Sequence, residues 1–242
     1  MKIVFIGGVG GSGTRVVANI LKSNGIFIGD NLNVSLDNLD WPGQQAVIKD
    51  KSLSFSQKVE GLRIPFQNFI DQMINAQKAG AHTDQSVLAI KVPGSFFYLP
   101  YLCKIFDDIC YIHTIRHGLD MAFSSNKNQL KNWGVEFGVL PGDSEEEKCQ
   151  FKYWVKANEY AIDIGNKLLN DNFYLLKFEK LCDNSESEVK RLFEFLQLDN
   201  NIPPSLLMTI KRPVTFQRYR NQDLTVFTEN DLMSLNKLGY EV

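Results

Sequence analysis

The four cysteines of this 242-residue chain, Cys103, Cys110, Cys149 and Cys182, include no C-x-x-C pair. That excludes a zinc knuckle and the disulfide framework of a small secreted domain, and reduced thiols are expected. Charge of one sign is missing too: 26 Lys and Arg against 28 Asp and Glu leave a net charge of −2. A nucleic-acid surface needs a clustered basic excess, so no nucleic-acid partner is expected and any basic site must be local. No apolar run approaches the roughly 20 residues that span a bilayer. Met1 leads straight into an apolar strand, without a basic segment, apolar core and cleavage site. A cytoplasmic enzyme with no membrane span is the expectation. Linkers, repeats, low-complexity tracts and obvious metal-ligand clusters are absent as well, so residues 1–242 are expected to form a single domain with a full core.

What the chain does have is glycine near its start. Five glycines fall between Gly7 and Gly13, after the apolar strand 2–6 and before a helix opened by Ser12, Gly13 and Thr14. Such a turn lets backbone amides and a helix N-terminus approach an anion, and reads as a phosphate cradle. A Walker A loop counted from Gly8 would need a lysine where Thr14 stands, and no apolar strand ends in a metal-holding Asp. ATP or GTP hydrolysis is therefore disfavoured. A small-molecule or nucleoside kinase and a non-catalytic nucleotide-binding module stay open as alternatives.

Apolar spacing orders the remaining elements. Val16, Val17, Ile20 and Leu21 share one side of a helix over 15–24 that stops at Gly25, while 30–45, rich in Asn and Asp, keeps no period and reads as a functional loop. Phe66, Phe69, Ile70, Met73 and Ile74 predict a helix over 65–79. Strands are predicted at 87–91, 109–114 and 173–177, with a helical stretch at 96–106. One helix is expected from Arg116 to about Leu130. Ser144 with Glu147 predicts a capped long helix with Phe151, Trp154, Ala157, Ala161 and Ile164 on its apolar face, and Ser185 with Glu188 another. Strand alternating with helix implies an α/β fold, a parallel sheet flanked by helices on both faces through right-handed crossovers. Ligands of such sheets sit at the strands' carboxyl ends.

That rule singles out Lys91, which ends a strand, and Arg116, which follows one. Ser124 lies eight residues further on, about two helical turns, so a helix entered at Arg116 would bring both to a second anion. His113 reads as a strand residue packed in the sheet and His82 as a turn residue.

These segments resemble the sulfotransferases that use 3'-phosphoadenylyl sulfate, PAPS. Gly10-Gly-Ser-Gly-Thr-Arg15 is similar to their P-[RK]-S-G-T-T loop, and Arg116-His-Gly-Leu-Asp120-Met-Ala-Phe-Ser124 to their R-[DN]-P-x-D-x-x-x-S motif. Ile90-Lys-Val-Pro93 with Leu99-Pro100 looks like the lysine-proline segment, and Leu176-Lys-Phe-Glu-Lys-Leu181 like the Y-E-x-L element. The resemblance implies a P-loop-like three-layer sandwich and sulfuryl transfer to a hydroxyl or amine of a small-molecule or saccharide acceptor, without metal. It implies that Gly10, Gly11, Ser12, Gly13, Thr14 and Arg15 hold the 5'-phosphosulfate, and Arg116 and Ser124 the 3'-phosphate. The basic segment 211–220 would close over the nucleotide, Phe216 on adenine and Arg218 on phosphate, or else is a charged surface loop. Departures are equally plain. Gly11 replaces a basic residue, Arg15 the second Thr, and His117 and Gly118 the Asp/Asn and Pro.

Sulfuryl transfer builds negative charge on the departing 5'-phosphate, so a cation is expected there, a duty shared by Arg15 and Lys91. The acceptor needs a general base. Pro93 stands where many relatives have a base, but other relatives carry an acidic base shortly after the first helix, so the resemblance implies one in the Asp-rich loop: Asp37 first, then Asp30, with Asp40 nearby, against a reading of all three as loop caps. Trp41, Trp133, Phe137 and Tyr153 either line an apolar acceptor cleft or are core. Oligomeric state and acceptor identity leave no mark on the sequence.

Overall fold

The computed structural model describes residues 1–80, 84–199 and 201–242; His82 lies outside them. In chain order the elements are β1 (Lys2–Gly8), α1 (Thr14–Ser23), β2 (Ile26–Phe27), α2 (Gln45–Lys49), α3 (Phe55–Ala79), β3 (Asp84–Lys91), α4 (Leu99–Ile105) and β4 (Ile109–Ile115). There follow α5 (Gly118–Ala122), α6 (Asn128–Trp133), α7 (Glu146–Leu169), β5 (Phe173–Lys177), α8 (Phe178–Asp183), α9 (Ser185–Leu196), α10 (Pro204–Leu207) and α11 (Glu229–Lys237). Two compact units share them: Met1–Gly7, Thr14–His113 and Ile164–Tyr174 form the first, and Gly8–Gly13, Thr114–Asp163 and Leu175–Val242 the second. No helix among the described residues is long and apolar enough to cross a membrane, and all four cysteines are free thiols.

The five-stranded parallel sheet is ordered β2-β3-β1-β4-β5. Val4, Phe5 and Ile6 of β1, Val87–Ile90 of β3 and Ile109–Ile112 of β4 are buried without alternation, as strands covered on both faces require. Lys2 pairs with Val87 and Ile6 with Lys91, so Lys91 closes the ladder. His113 is buried in β4 as expected. The α/β class, the parallel sheet and its flanking helices agree with the sequence reading. The two-residue strand β2, entered through Gly25 at φ 83°, is too short to show a period.

The helix predicted over 65–79 begins ten residues earlier, at Phe55. Ser54 caps it: its hydroxyl accepts from Gln57 N at 3.3 Å while Ser54 N donates to Gln57 Oε1 at 2.9 Å. Val59 and Leu62 extend the buried stripe, and the helix runs through Pro65, whose preference for a first turn is the misleading signal. Trp41, half-buried, meets Phe5, Phe66, Phe69 and Tyr98 edge-on, at centroid distances of 4.7 to 6.0 Å.

In the second unit the single helix expected from Arg116 to Leu130 is two short ones, α5 and α6. Polar side chains at the break take backbone amides out of a helical ladder: Ser124 Oγ accepts from Asn126 N, and Asn126 Oδ1 from Asn128 N, each at 3.2 Å. Neither predicted capping box forms. The first backbone bond of α7 runs from Cys149 N to Glu145 O, and Ser144 Oγ lies 3.3 Å from Cys149 Sγ. Asn184 precedes α9, and the Glu188 carboxylate takes Arg191 at 2.5 Å instead. Phe151, Trp154, Ala157 and Ala161 are buried along α7 as predicted, while Ile164, expected on the same face, is half-buried. Trp133 and Tyr153 are buried too, and Phe137 meets Tyr153 edge-on at 5.8 Å.

Candidate active site

The glycine loop of the second unit is built by close approach. A Cβ on Gly8 would lie 2.3 Å from Thr114 O and 2.6 Å from Ser12 Oγ, and one on Gly13, at φ 100°, would enter the Phe178 ring at 2.2 Å. Only glycine fits these places. Ser12 N donates to Val9 O at 3.0 Å and tightens the turn. Gly11, at φ 99°, has Ser124 Oγ 3.9 Å from its Cβ position, so the serine of the second motif stands beside the loop of the first. The two-turn helix expected to carry Ser124 with Arg116 to a second anion ends at Ala122, before it reaches Ser124. Gly10 and Ser12 are buried and Gly11 is exposed; beyond Gly13, in the first unit, Thr14 is buried and Arg15 exposed.

Arg116, buried just past the end of β4, is organised by a residue that motif spacing identified without assigning it a task. Its Nη2 pairs with Asp120 Oδ2 at 2.8 Å and also donates to Thr215 O; Nη1 donates to Thr215 Oγ1 at 3.3 Å. Asp120 in turn accepts from Gln217 N at 2.9 Å and Tyr219 N at 3.4 Å. One buried carboxylate therefore ties the segment 215–219 onto the arginine. The cluster read as either a closing segment or a surface loop is docked. Arg218 donates to Thr215 O and Phe123 O, each at 3.3 Å, and burial with the neighbouring Arg116 charge pulls its guanidinium below its ordinary pKa. Phe216 carries the Arg212 guanidinium over its ring, 4.7 Å from the centroid.

His117, which departs from the family pattern, holds the carboxyl-terminal stretch. Its N–H donates to Glu179 Oε1 at 2.8 Å, its Nδ1 accepts from Leu119 N at 3.3 Å, and its Nε2 lies 2.7 Å from Glu241 O. An accepting Nδ1 makes Nε2 the protonated nitrogen of a neutral ring. Burial pushes the pKa of His117 down, against Glu241 O, Glu179 and Asp120. Its ring stacks on Tyr219 at 4.4 Å, and Tyr240 donates to Glu179 Oε2 at 3.1 Å. Glu179, from the segment resembling Y-E-x-L, is thus a cross-link that sequence reasoning left without a role.

In the first unit the Asp-rich loop lies against the end of β3, where Asn38 N donates to Lys91 O at 3.0 Å. The buried ammonium of Lys91 pairs with Asp37 Oδ1 and donates to Ser35 O at 3.0 Å. Asn33 Nδ2 donates to the other Asp37 oxygen at 2.9 Å, and the carboxylate stays about a third exposed. Burial draws the Lys91 pKa down, Asp37 opposes it, and nearby Arg15 lowers it further. Asp30 is exposed. Asp40 accepts from Asn31 Nδ2 at 2.7 Å, the loop-capping use, so Asp37 and Lys91 are the two predicted residues brought together here.

Two atoms test the fit of an anionic nucleotide. Among the described residues Ser12 Oγ and Arg116 Nε are buried without a hydrogen-bond partner, one in the glycine loop and one in the second motif. Buried donors without partners are costly, and an anion supplies what both need. No cluster of three or more His, Cys, Asp or Glu among the described residues could hold a metal ion.

The sulfotransferase family profile matches residues 4–201, and the chain belongs to that family. Among solved structures, the sulfotransferase domain of the Synechococcus PCC 7002 olefin synthase superposes with a TM-score of 0.62 at 15% identity, covering 100% of this chain and 96% of that one. The sulfotransferase domain from the curacin biosynthetic pathway gives 0.61 at 13% identity, with coverage of 100% and 98%. A sulfotransferase from Alicyclobacillus acidocaldarius gives 0.58 at 15%, with coverage of 100% and 97%. At these identities the likeness is one of fold, the P-loop-like fold. No curated protein matches the sequence.

Proposed function

We propose that this sulfotransferase takes its sulfuryl group from PAPS and releases 3'-phosphoadenosine 5'-phosphate, PAP. The observation that carries the reading is the pair of buried, unpartnered donors Ser12 Oγ and Arg116 Nε, in loop and motif elements that meet where Ser124 stands beside Gly11. The loop amides from Gly10 to Gly13, with Thr14 and Arg15, serve the 5'-phosphosulfate. Arg116, Ser124 and Arg218 serve the 3'-phosphate, and Phe216 offers adenine the face that Arg212 leaves free.

Asp37 is the proposed base. With Oδ1 on Lys91 and Oδ2 on Asn33 it keeps lone pairs for the proton of an acceptor hydroxyl or amine. The acceptor atom bonds to sulfur, the bond from sulfur to the 5'-phosphate oxygen breaks, and the departing phosphate takes the electron pair. Lys91 and Arg15 supply the positive charge that Gly11 does not. A small-molecule or saccharide acceptor and a cytoplasmic location complete the proposal, the latter suiting the free thiols.

Calorimetric titration with PAP and with ADP plus magnesium tests it. A charge-assisted contact to the 3'-phosphate is worth ~1.5–3 kcal/mol, so PAP should bind about 10- to 100-fold tighter than ADP. Equal affinity, or a preference for magnesium ADP, would favour the kinase reading. PAP binding without sulfate transfer from labelled PAPS to any of a broad acceptor set would favour a binding module.

A further inference from the structure

The break between α5 and α6 sets a residue that no motif covers against the glycine loop. Gln129 Nε2 donates to Gly8 O at 3.2 Å, and its Oε1 accepts from the Tyr153 hydroxyl at 3.1 Å. The same Nε2 is 3.8 Å from the Cβ position of Gly10, and Asn126 Nδ2 is 3.1 Å from it. Turning the Gln129 amide over would set its oxygen against the Gly8 carbonyl, so the orientation is fixed by chemistry. Tyr153 is fully buried, burial pushes its phenol pKa up, and it remains an O–H donor at any working pH.

An anion cradle works when its amides turn toward the ligand and its carbonyls away. Gly8 is the residue at which β1 becomes the loop. We infer that Gln129, oriented by Tyr153, is a positioning residue that holds the Gly8 carbonyl back and so sets the loop's shape. A neutral clamp from α6 thereby shapes a loop that has no basic residue at Gly11. The effect on donor binding rests on the PAPS reading; the clamp itself does not.

Hydrogen exchange of the loop amides 8–13 in the ligand-free protein is the primary test, with PAP titration beside it. Gln129→Leu should speed loop exchange about tenfold and weaken PAP about tenfold, the equivalent of one net hydrogen bond. Gln129→Glu should do the same near neutral pH, because a carboxylate faces a carbonyl. As pH falls toward about 4 the protonated carboxyl can donate to Gly8 O, and the Glu variant should recover while the Leu variant does not. Tyr153→Phe keeps the ring and should loosen the loop less. Loop exchange within twofold of wild type in both Gln129 variants overturns the inference. Should the Leu variant not fold, the pH-dependent recovery of the Glu variant decides, and a flat response overturns it. Wild-type protein that ignores PAP while Gln129→Leu loosens the loop leaves the clamp standing and removes the donor reading.

Discussion

Asp120→Asn exchanges one oxygen for an NH2 group and deletes one negative charge at the junction of Arg116 and the segment 215–219. Asp120 and Arg116 are 1% and 4% exposed, so the guanidinium would lose its counter-charge where water cannot replace it. Breaking a buried ion pair on one side costs ~3–5 kcal/mol. The Gln217 amide can keep an oxygen acceptor, but the new NH2 then faces the Tyr219 amide, the longer of the two bonds at 3.4 Å. The ion-pair figure therefore dominates, and against a total of roughly 5–15 kcal/mol it is about a fifth of the stability or more. Urea unfolding followed by tryptophan fluorescence measures it, with Trp154 well placed because its Nε1 donates to Arg116 O at 3.0 Å. Moderate salt should change little, since buried pairs are poorly screened. Adding Arg116→Met to Asp120→Asn should restore part of the loss, because it removes the stranded charge. A loss below about 1 kcal/mol for the single variant, or a double variant as poor as the sum of both, refutes the reasoning.

Lys91→Met tests the opposite relation between charge and stability. The ammonium is desolvated and Asp37 can turn to water, so stability should hold within ~1–2 kcal/mol in urea unfolding, while sulfate transfer should fall about 100-fold or more with the lost transition-state charge. A variant that unfolds at once, or keeps its transfer rate, contradicts the assigned role. His117 predicts acid sensitivity. With its folded pKa below the unfolded value near 6.5, the unfolded chain binds the extra proton, so the contribution is complete above about 6.5 and is lost as pH falls toward the folded pKa. The difference in unfolding free energy between wild type and His117→Gln should be flat above that pH. It should shrink below it by at most ~1.4 kcal/mol per pH unit, and a difference that grows on acidification would reverse the assignment.

Local signals made β1, the glycine turn, α1 and the strands readable, because buried parallel strands appear as unbroken apolar runs and a helix as a four-residue stripe. The break at Phe123 was hidden, since apolar spacing continues across it and only Ser124 and Asn126, bonding their own backbone, end the helix. Pro65 concealed the first ten residues of α3. Ser144 and Ser185 show that S-x-x-E spacing is met without cap geometry when Cys149 or Arg191 offers the side chains other partners. In the candidate site, residue types were legible and pairings were not. Asp37 is one of three Asp in its loop, but its contact with Lys91 is made across 54 residues of sequence, the loop lying against a strand end. Gln129 and Tyr153, 24 residues apart on different helices, leave no trace in any one-dimensional pattern.

Phe178 has a consequence of its own. Its ring fills the space a side chain on Gly13 would need, and the Arg116 guanidinium lies over the same ring, 5.6 Å from its centroid. An aromatic ring neither stretches nor compresses, so it works as a gauge block between the glycine turn and the buried guanidinium. On the donor proposed here, moving the second phosphate from the 3' to the 2' oxygen of the ribose would change the spacing of the two anions, and selectivity between the two isomers would then rest on a hydrocarbon spacer.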